Sequence, residues 1–289
     1  MSGFGLCASG FGLWASGMLP PTTALVVAQA PTFRAGVAVV RVNVLATDRG
    51  RPLADLTGDD FDVRDNGVPQ QVEASYGESE PLDVLFAFDR SQSMAGETLG
   101  RLGEAARAVL DQLGPDDRAG LVTFNQTFAL HAPMSTDRTA IRAAIAEIEP
   151  GGSTSLRDTL YAALTLVGTG ERRVLLLVFT DGIDSTSWLP DRSVIDTARE
   201  SEAVVYAVPF ARPQERLLED VAEATGGRVV LASSDDRLRR VFLEVLREMR
   251  SRYVLTFTPT NVEPGWHTLS VRLKKGDGRV TARQGYAVR

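Results

Sequence analysis

Between residues 81 and 250, short runs of purely apolar residues alternate with longer segments of helical periodicity. The runs 84–88 and 174–179 contain no polar residue at all. Strands that are apolar on both faces are typical of a parallel sheet covered by helices on both sides. Strands that alternate with helices form βαβ units around such a sheet. This segment therefore predicts one doubly wound, mostly parallel α/β sheet.

The helices of this segment can be placed from their apolar periodicity and their end signals. Gly114-Pro115 and Gly226-Gly227 are typical of helix ends, because Gly and Pro do not continue a helix. We predict helices over 97–113, 137–147, 156–167, 191–200, 214–224 and 235–250.

The segments on either side of the α/β segment have the character of β-strands. Residues 33–78 contain β-branched runs, and Asn66-Gly67 predicts a hairpin turn with 72–76 as its return strand. After Arg252 the β pattern returns. Each flank is too short to bury a good core alone. The sequence therefore predicts one small, discontinuous β-sandwich into which the α/β domain is inserted, with boundaries at 31–80, 81–250 and 251–289.

Residues 1–30 contain no charged side chain and end in Ala28-Gln29-Ala30, a small-x-small signature of signal-peptide cleavage. We expect a signal peptide here and an exported protein, either periplasmic or extracellular. An uncleaved anchor or a disordered start is the alternative, because the segment lacks Lys and Arg, and Pro20-Pro21 interrupts its apolar run. A stable membrane span is not expected, since a span needs about 20 apolar residues.

Composition restricts the possible cofactors and partners. Two histidines and one cysteine exclude zinc ribbons, haem sites, iron–sulfur clusters and disulfide scaffolds. Any metal must therefore be held mainly by oxygen ligands, which favours Mg²⁺, with Mn²⁺ or Ca²⁺ as alternatives. A net charge of −6 argues against a nucleic-acid partner, which would require a basic face.

Oxygen-bearing side chains cluster at three predicted loops. Asp89 to Ser93 form a DxSxS run after the first apolar strand, Gly151 to Ser155 precede a helix, and Thr180-Asp181-Gly182 end the central strand. The carboxyl ends of parallel strands meet at one edge of an open sheet, where ligands bind. Carboxylates and hydroxyls from these loops suit a hard divalent cation with one position left open.

These residues, in this order, resemble the metal-ion-dependent adhesion site of the von Willebrand factor type A domain, over about residues 81–250. The whole chain looks like the bacterial VWFA-related proteins, which are generally expected to be exported. The resemblance implies an adhesion or interaction module whose metal captures an Asp or Glu of a partner protein. It implies these metal residues: Asp89, Ser91, Ser93, Thr154 and Asp181.

Several readings of the residues stay open at this point. Arg90 lies beside the expected metal and either points away or helps to hold an acidic ligand. Ser153 and Ser155 compete with Thr154 as the hydroxyl donor. Ser91 and Ser93 could merely cap the following helix. We expect Asp184 to be a loop or capping residue, and both histidines to be structural or exposed.

Two other functions compete with a binding module. A metal-dependent hydrolase or phosphoryl-transfer enzyme could use Mg²⁺ at the same position. The sequence argues against an enzyme, because it has no phosphate-binding GxxxxGK[ST] loop and no GxSxG elbow, and no lysine precedes Lys274. A structural envelope protein with an idle site is the other alternative.

Overall fold

A computed structural model describes residues 39–168, 172–181, 184–210, 216–232 and 234–288. These residues belong to one compact unit. The predicted signal peptide lies outside the described residues.

The described strands and helices follow the alternation that the sequence predicts in the middle of the chain. The strands are β1 (Val40–Asp48), β2 (Arg51–Pro52), β3 (Phe61–Asp65), β4 (Val68–Gln70), β5 (Glu73–Tyr76), β6 (Leu82–Asp89), β7 (Arg118–Phe124), β8 (Phe128–Ser135), β9 (Arg173–Thr180), β10 (Val204–Pro209), β11 (Arg228–Val229), β12 (Tyr253–Phe257), β13 (Gly265–Leu273), β14 (Arg279–Thr281) and β15 (Gly285–Val288). The helices are α1 (Glu97–Gln112), α2 (Thr139–Ala146), α3 (Leu156–Val167), α4 (Asp191–Glu200), α5 (Arg216–Ala224) and α6 (Asp235–Arg250).

The α/β prediction is confirmed. Six strands form one sheet in the order β11-β10-β9-β6-β7-β8, parallel except for β8, which runs antiparallel to β7. One face of this sheet shares an apolar core with α1, α2 and α6, and the other face shares a core with α3, α4 and α5. Every residue of β6 and β9 is buried, as continuous apolar strands require.

The strands on either side of the α/β segment pair with one another. β1 runs antiparallel to β12 and β14, and β3 runs antiparallel to β13. The sheet β14-β1-β12-β5, with β2 at its side, and the sheet β15-β13-β3-β4 share one core. We call this pair of sheets the sandwich. The division of the chain at 80 and 250 stays a prediction.

The hairpin at Asn66-Gly67 forms, but its return strand was predicted wrongly. Asn66 and Gly67 have φ of 48° and 83°, the left-handed values that such a turn needs. The strand that returns along β3 is β4, directly after the turn. Residues 73–76 instead form β5, which pairs with β12. The strand signal at 72–76 was correct, but its partner lies almost 180 residues further along the chain.

Candidate metal centre

The predicted site residues lie around the carboxyl ends of the two central strands. β6 and β9 are adjacent and parallel, so both strands end at the same edge of the sheet. Asp89 is the last residue of β6, Thr180 is the last residue of β9, and Asp181 follows directly. The fold therefore brings the two predicted carboxylates to one place.

The Asp89 carboxylate is fully buried and held by two donors. The backbone N–H of Ser91 donates to Oδ1 at 2.8 Å, and the Thr180 hydroxyl donates to Oδ2 at 2.7 Å. Burial raises the pKa of Asp89 above its ordinary value, and the Asp181 carboxylate raises it further. The hydrogen bonds from Ser91 and Thr180 lower that pKa without outweighing burial. Negative charge at this edge is thus unfavourable by itself, and a bound cation would stabilise it.

Ser91 and Ser93 present their hydroxyls to each other, with the two Oγ atoms 3.0 Å apart. Ser93 lies within a short 3₁₀ turn over Gln92–Met94, and Ser91 directly precedes that turn. The residue that caps α1 is Gly96, and Ser91 makes no side-chain capping bond to its turn. The capping interpretation of these serines is therefore wrong, and their hydroxyls are turned towards each other beside Asp89.

The loop before α3 is bound to the loop after β6. The N–H of Gln92 donates to the Gly152 carbonyl at 2.9 Å, and the N–H of Gly151 donates to the Arg90 carbonyl at 2.8 Å. Gly152 has a φ of 81°, a left-handed conformation that favours glycine. These bonds place residues 151–155 beside the DxSxS run.

The three hydroxyl residues of this loop differ in their surroundings. Ser155 donates its hydroxyl to the Asn125 carbonyl at 2.6 Å. Ser153 is exposed, whereas Thr154 is buried, with 4% of its surface accessible. The Thr154 carbonyl accepts the N–H groups of Ser185 and Thr186 at 2.9 and 3.1 Å. Thr154 therefore joins the loop before α3 to the loop that follows β9.

The remaining polar candidates are used elsewhere. Arg90 donates from Nη1 to the Glu149 carbonyl at 3.4 Å, so its guanidinium is directed along the α2–α3 connection. Asp184 accepts the N–H of Arg157 at 2.9 Å and both donors of Ser187, which is the loop role expected for it. His131 bonds to Thr123 on β7.

The second histidine belongs to the sandwich. His267 is buried, and its Nδ1 lies 2.9 Å from the Asp65 carboxylate. Its Nε2 lies 2.9 Å from the Glu263 carbonyl. This histidine is structural, as expected.

The donor set at the sheet edge combines two carboxylates with hydroxyls. No group of three or more His, Cys, Asp or Glu side chains suited to a metal is found among the described residues. Hydroxyls complete the set instead, and such hard oxygen donors fit a divalent cation such as Mg²⁺. The sequence did not predict the Thr180 hydroxyl as a partner of Asp89, because that bond joins β9 to β6 and no local signal marks it.

An open α/β sheet with carboxylates and hydroxyls gathered at its carboxyl edge defines the class of protein: a domain whose ligand site lies beyond its strand ends. The model of the von Willebrand factor type A domain matches residues 83–244, more than half of the chain. The chain belongs to this family, as its motifs predicted. Domains of this family are typically metal-dependent interaction modules.

Sequence relatives support this assignment at low identity. A UPF0353 protein of Mycolicibacterium paratuberculosis is 24% identical over 200 residues, which cover 57% of this chain and 60% of that protein. Inter-alpha-trypsin inhibitor heavy chain H4 of Homo sapiens is 27% identical over 141 residues, 44% of this chain and 15% of that protein. The chain thus spans less than two thirds of the length of these relatives.

Solved structures share the fold. A von Willebrand factor type A protein from Catenulispora acidiphila superposes with a TM-score of 0.55 at 15% identity, over 82% of this chain and 74% of that one. Proximal thread matrix protein 1 from the mussel byssus, whose MIDAS motif is occupied by zinc, gives 0.53 at 20% identity, over 63% and 49%. Within the described part of this chain, no helix combines the length and apolar character that crossing a membrane requires.

Proposed function

We propose that the chain is a metal-dependent binding module that captures a carboxylate from a partner protein. In this proposal the metal residues are Asp89, Ser91, Ser93, Thr154 and Asp181. The observation that carries it is the junction of three loops at one sheet edge, where the Asp89 and Asp181 carboxylates interact and a serine hydroxyl pair lies beside them.

The chemistry of this donor set favours binding to an outside anion. Two carboxylates offset the charge of a divalent cation, and neutral hydroxyls add ligands without adding charge. When bound, the cation supplies a Lewis-acidic position at the exposed edge. Ser93 is exposed and Asp181 is half-buried, whereas Asp89 is buried, so an outside Asp or Glu would approach the site past Ser93.

Mg²⁺ is the proposed ion, with Mn²⁺ and Ca²⁺ as alternatives. Mg²⁺ keeps several waters when it is held by one or two carboxylates, and a partner carboxylate can replace one of them. The zinc in the mussel protein is a property of that protein. We also propose that the mature chain acts outside the cytoplasm, as a cell-adhesion or interaction protein, on the basis of the uncharged segment 1–30.

The direct test is calorimetry with Mg²⁺ and Mn²⁺ on the full chain and its Asp89→Asn and Asp181→Asn variants. We expect each variant to bind metal at least about tenfold more weakly, because an amide oxygen replaces a charged ligand. Wild type at a metal concentration of about 100 Kd should gain about 2.7 kcal/mol of stability. Asp196→Asn, an exposed aspartate on α4, is the matched control and should bind like wild type.

Three results would contradict this proposal. If wild type does not bind metal at millimolar concentration, the chain would have a structural role only. The same holds if wild type and Asp181→Asn give equal heats of metal binding. Hydrolysis of phosphate or carboxylate esters that needs Mg²⁺ and is lost in Asp181→Asn would favour the alternative function, a metal-dependent hydrolase or phosphoryl-transfer enzyme.

A further inference from the structure

One large apolar side chain lies almost entirely in solvent close to the candidate metal centre. Trp188, in the loop between β9 and α4, is 92% exposed. Among the described residues the next most exposed large hydrophobic side chain, Val262, is 58% exposed. Trp188 therefore stands out as apolar surface that the fold itself does not use.

The loop that carries Trp188 is fixed by two buried or half-buried carboxylates. Asp158, in the first turn of α3, accepts the N–H of Trp188 at 3.1 Å and that of Leu189 at 2.9 Å. Asp184 accepts the N–H of Ser187 at 3.1 Å and its hydroxyl at 2.5 Å. The backbone at position 188 is thus held in place, and the indole is displayed from an anchored loop.

The same loop is joined to a proposed metal residue. The Thr154 carbonyl accepts the N–H and the hydroxyl of Thr186, each at 3.1 Å. Only two peptide units separate Thr186 from Trp188, which is a reach of at most about 7 Å. The indole therefore starts within a short distance of the edge at which a partner carboxylate would bind.

Tyr161, one turn further along α3 from Asp158, is a second exposed aromatic side chain. It lies three residues after Asp158, on the same face of the helix, and is 40% exposed. We call Trp188 and Tyr161 the aromatic patch. Exposed aromatic side chains on a fixed backbone lose little conformational entropy on binding, and Trp and Tyr are enriched among the residues that dominate interfaces.

We propose that the aromatic patch anchors the partner captured at the metal site, with Trp188 as its main contact. The partner segment then carries an Asp or Glu for the metal and an aromatic or large aliphatic side chain two or three residues away. An extended chain advances about 3.3 Å per residue, so this spacing covers roughly 7–10 Å, the same scale as the link of at most about 7 Å from Thr186, which is bonded to Thr154, to Trp188. This inference rests on the proposed function.

The test is a selection of random 12-residue peptides on the immobilised full chain in Mg²⁺. Wild type should recover peptides with an acidic residue and an apolar residue two or three positions away. The Trp188→Ala variant should no longer select an apolar residue at that position. It should bind the peptides selected on wild type about 30-fold more weakly, which is the scale of an interface hot spot. Trp266→Ala, which removes a 43% exposed tryptophan from the sandwich, is the matched control and should behave like wild type.

The outcomes separate this inference from the proposed function. Peptides recovered equally well in EDTA contradict the proposed function. Peptides that need Mg²⁺ but bind Trp188→Ala within twofold of wild type, or that place Lys or Arg at the apolar position, contradict only the role of Trp188. A selection that recovers no peptide contradicts both. Trp188→Ala should bind Mg²⁺ like wild type, which shows that its metal site is intact.

Discussion

The α/β sheet and the sandwich bury their strands in different ways. In β6 and β9 every position is buried, because helices cover both faces of the sheet. In β13 of the sandwich, by contrast, exposed and buried positions alternate over Trp266 to Leu269. A sheet without a solvent face can place polar chemistry only where its strands end. The candidate metal centre is found at such an end.

The two regions also differ in how far apart their partners lie in sequence. β12 is central to the sandwich and pairs with β1, more than 200 residues earlier. The α/β sheet is built from neighbouring βαβ units. The sandwich therefore depends on both flanks of the chain, whereas the α/β sheet is assembled from one continuous segment.

The largest expected effect comes from removing residues 252–289. β1 would lose β12 and β14, and β3 would lose β13, so most of the sandwich pairing disappears. We expect amide exchange in β1 to approach unprotected rates, about 10³-fold or more above those in the full chain. Amide exchange measured by mass spectrometry reports the sandwich and the α/β sheet in one experiment. Strand β6 of the α/β sheet serves as the internal reference for β1. Slow exchange of β1 in the truncated chain would show that the N-terminal strands fold without the C-terminal ones.

A smaller effect is expected from Phe242→Ala in α6. Phe242 is fully buried, and its ring lies 6.3 Å from those of Phe88 and Phe179. Emptying this position should lower the free energy of unfolding by about 3–5 kcal/mol, while the partly exposed Phe128→Ala should cost much less. Denaturant titration is followed by helical circular dichroism, which reports the α/β segment, and by the fluorescence of Trp266, which reports the sandwich once Trp14 and Trp188 are replaced by Phe. Coincident transitions are expected; an earlier loss of helix would show that the regions unfold independently.

The smallest expected effect is a pH dependence that belongs to the sandwich. His267 directs one ring nitrogen to the Asp65 carboxylate and the other to the Glu263 carbonyl, and Tyr286 donates to the same carboxylate at 2.7 Å. Two acceptors favour the doubly protonated ring. Burial lowers the pKa of His267, but the bonds to Glu263 and Asp65 outweigh it and raise the pKa above 6.5.

Stability from a raised histidine pKa is fully present below the unfolded-state pKa and is lost as pH rises through the folded-state pKa. Stability should therefore fall as pH rises above 6.5. Asp65→Asn should flatten this slope and cost about 1.5–3 kcal/mol at low pH, because a charged hydrogen bond is removed. Unfolding at several pH values measures both effects, with His131→Gln as control. An unchanged slope in Asp65→Asn would assign the dependence to other groups.

Local signals predicted the α/β segment well. The bounds of α3, α4 and α6 agree with their apolar periodicity, and Asp89 and Asp181 lie just after the apolar runs 84–88 and 174–179. These features depend on residues close in sequence. The partner of β5 depends on a strand far along the chain, so the hairpin assigned to 72–76 was wrong.

The surroundings of the site were harder to predict. The sequence around Thr180 gives no sign that its hydroxyl binds Asp89, because the hydrogen bond joins two different strands. The loop that carries Trp188 is anchored from another element, because Asp158 on α3 accepts the N–H of Trp188. The exposure of the Trp188 side chain is a tertiary property that residues close in sequence do not reveal.

The strand that ends at the candidate site begins with a buried arginine. Arg173, the first residue of β9, donates to Asn43 at 3.0 Å and to the carbonyls of Gly77 and Met249 at 2.5 Å each. Burial lowers its pKa to about 10, so it stays charged at neutral pH. Separating β9 from the sandwich would remove the Asn43 acceptor on β1 from that buried charge.

Because β9 links the candidate metal centre to Arg173, it would transmit a force applied at the site. Under the proposed function, a force applied by a partner held at Asp181 would act along the axis of β9, which is about 26 Å long. The force would act in shear on the ladders to β6 and β10, so many hydrogen bonds would resist together instead of opening one at a time. At the far end the tension would pass through Arg173 to the sandwich, so a tether at the flanks of the chain would share the strain of a captured partner.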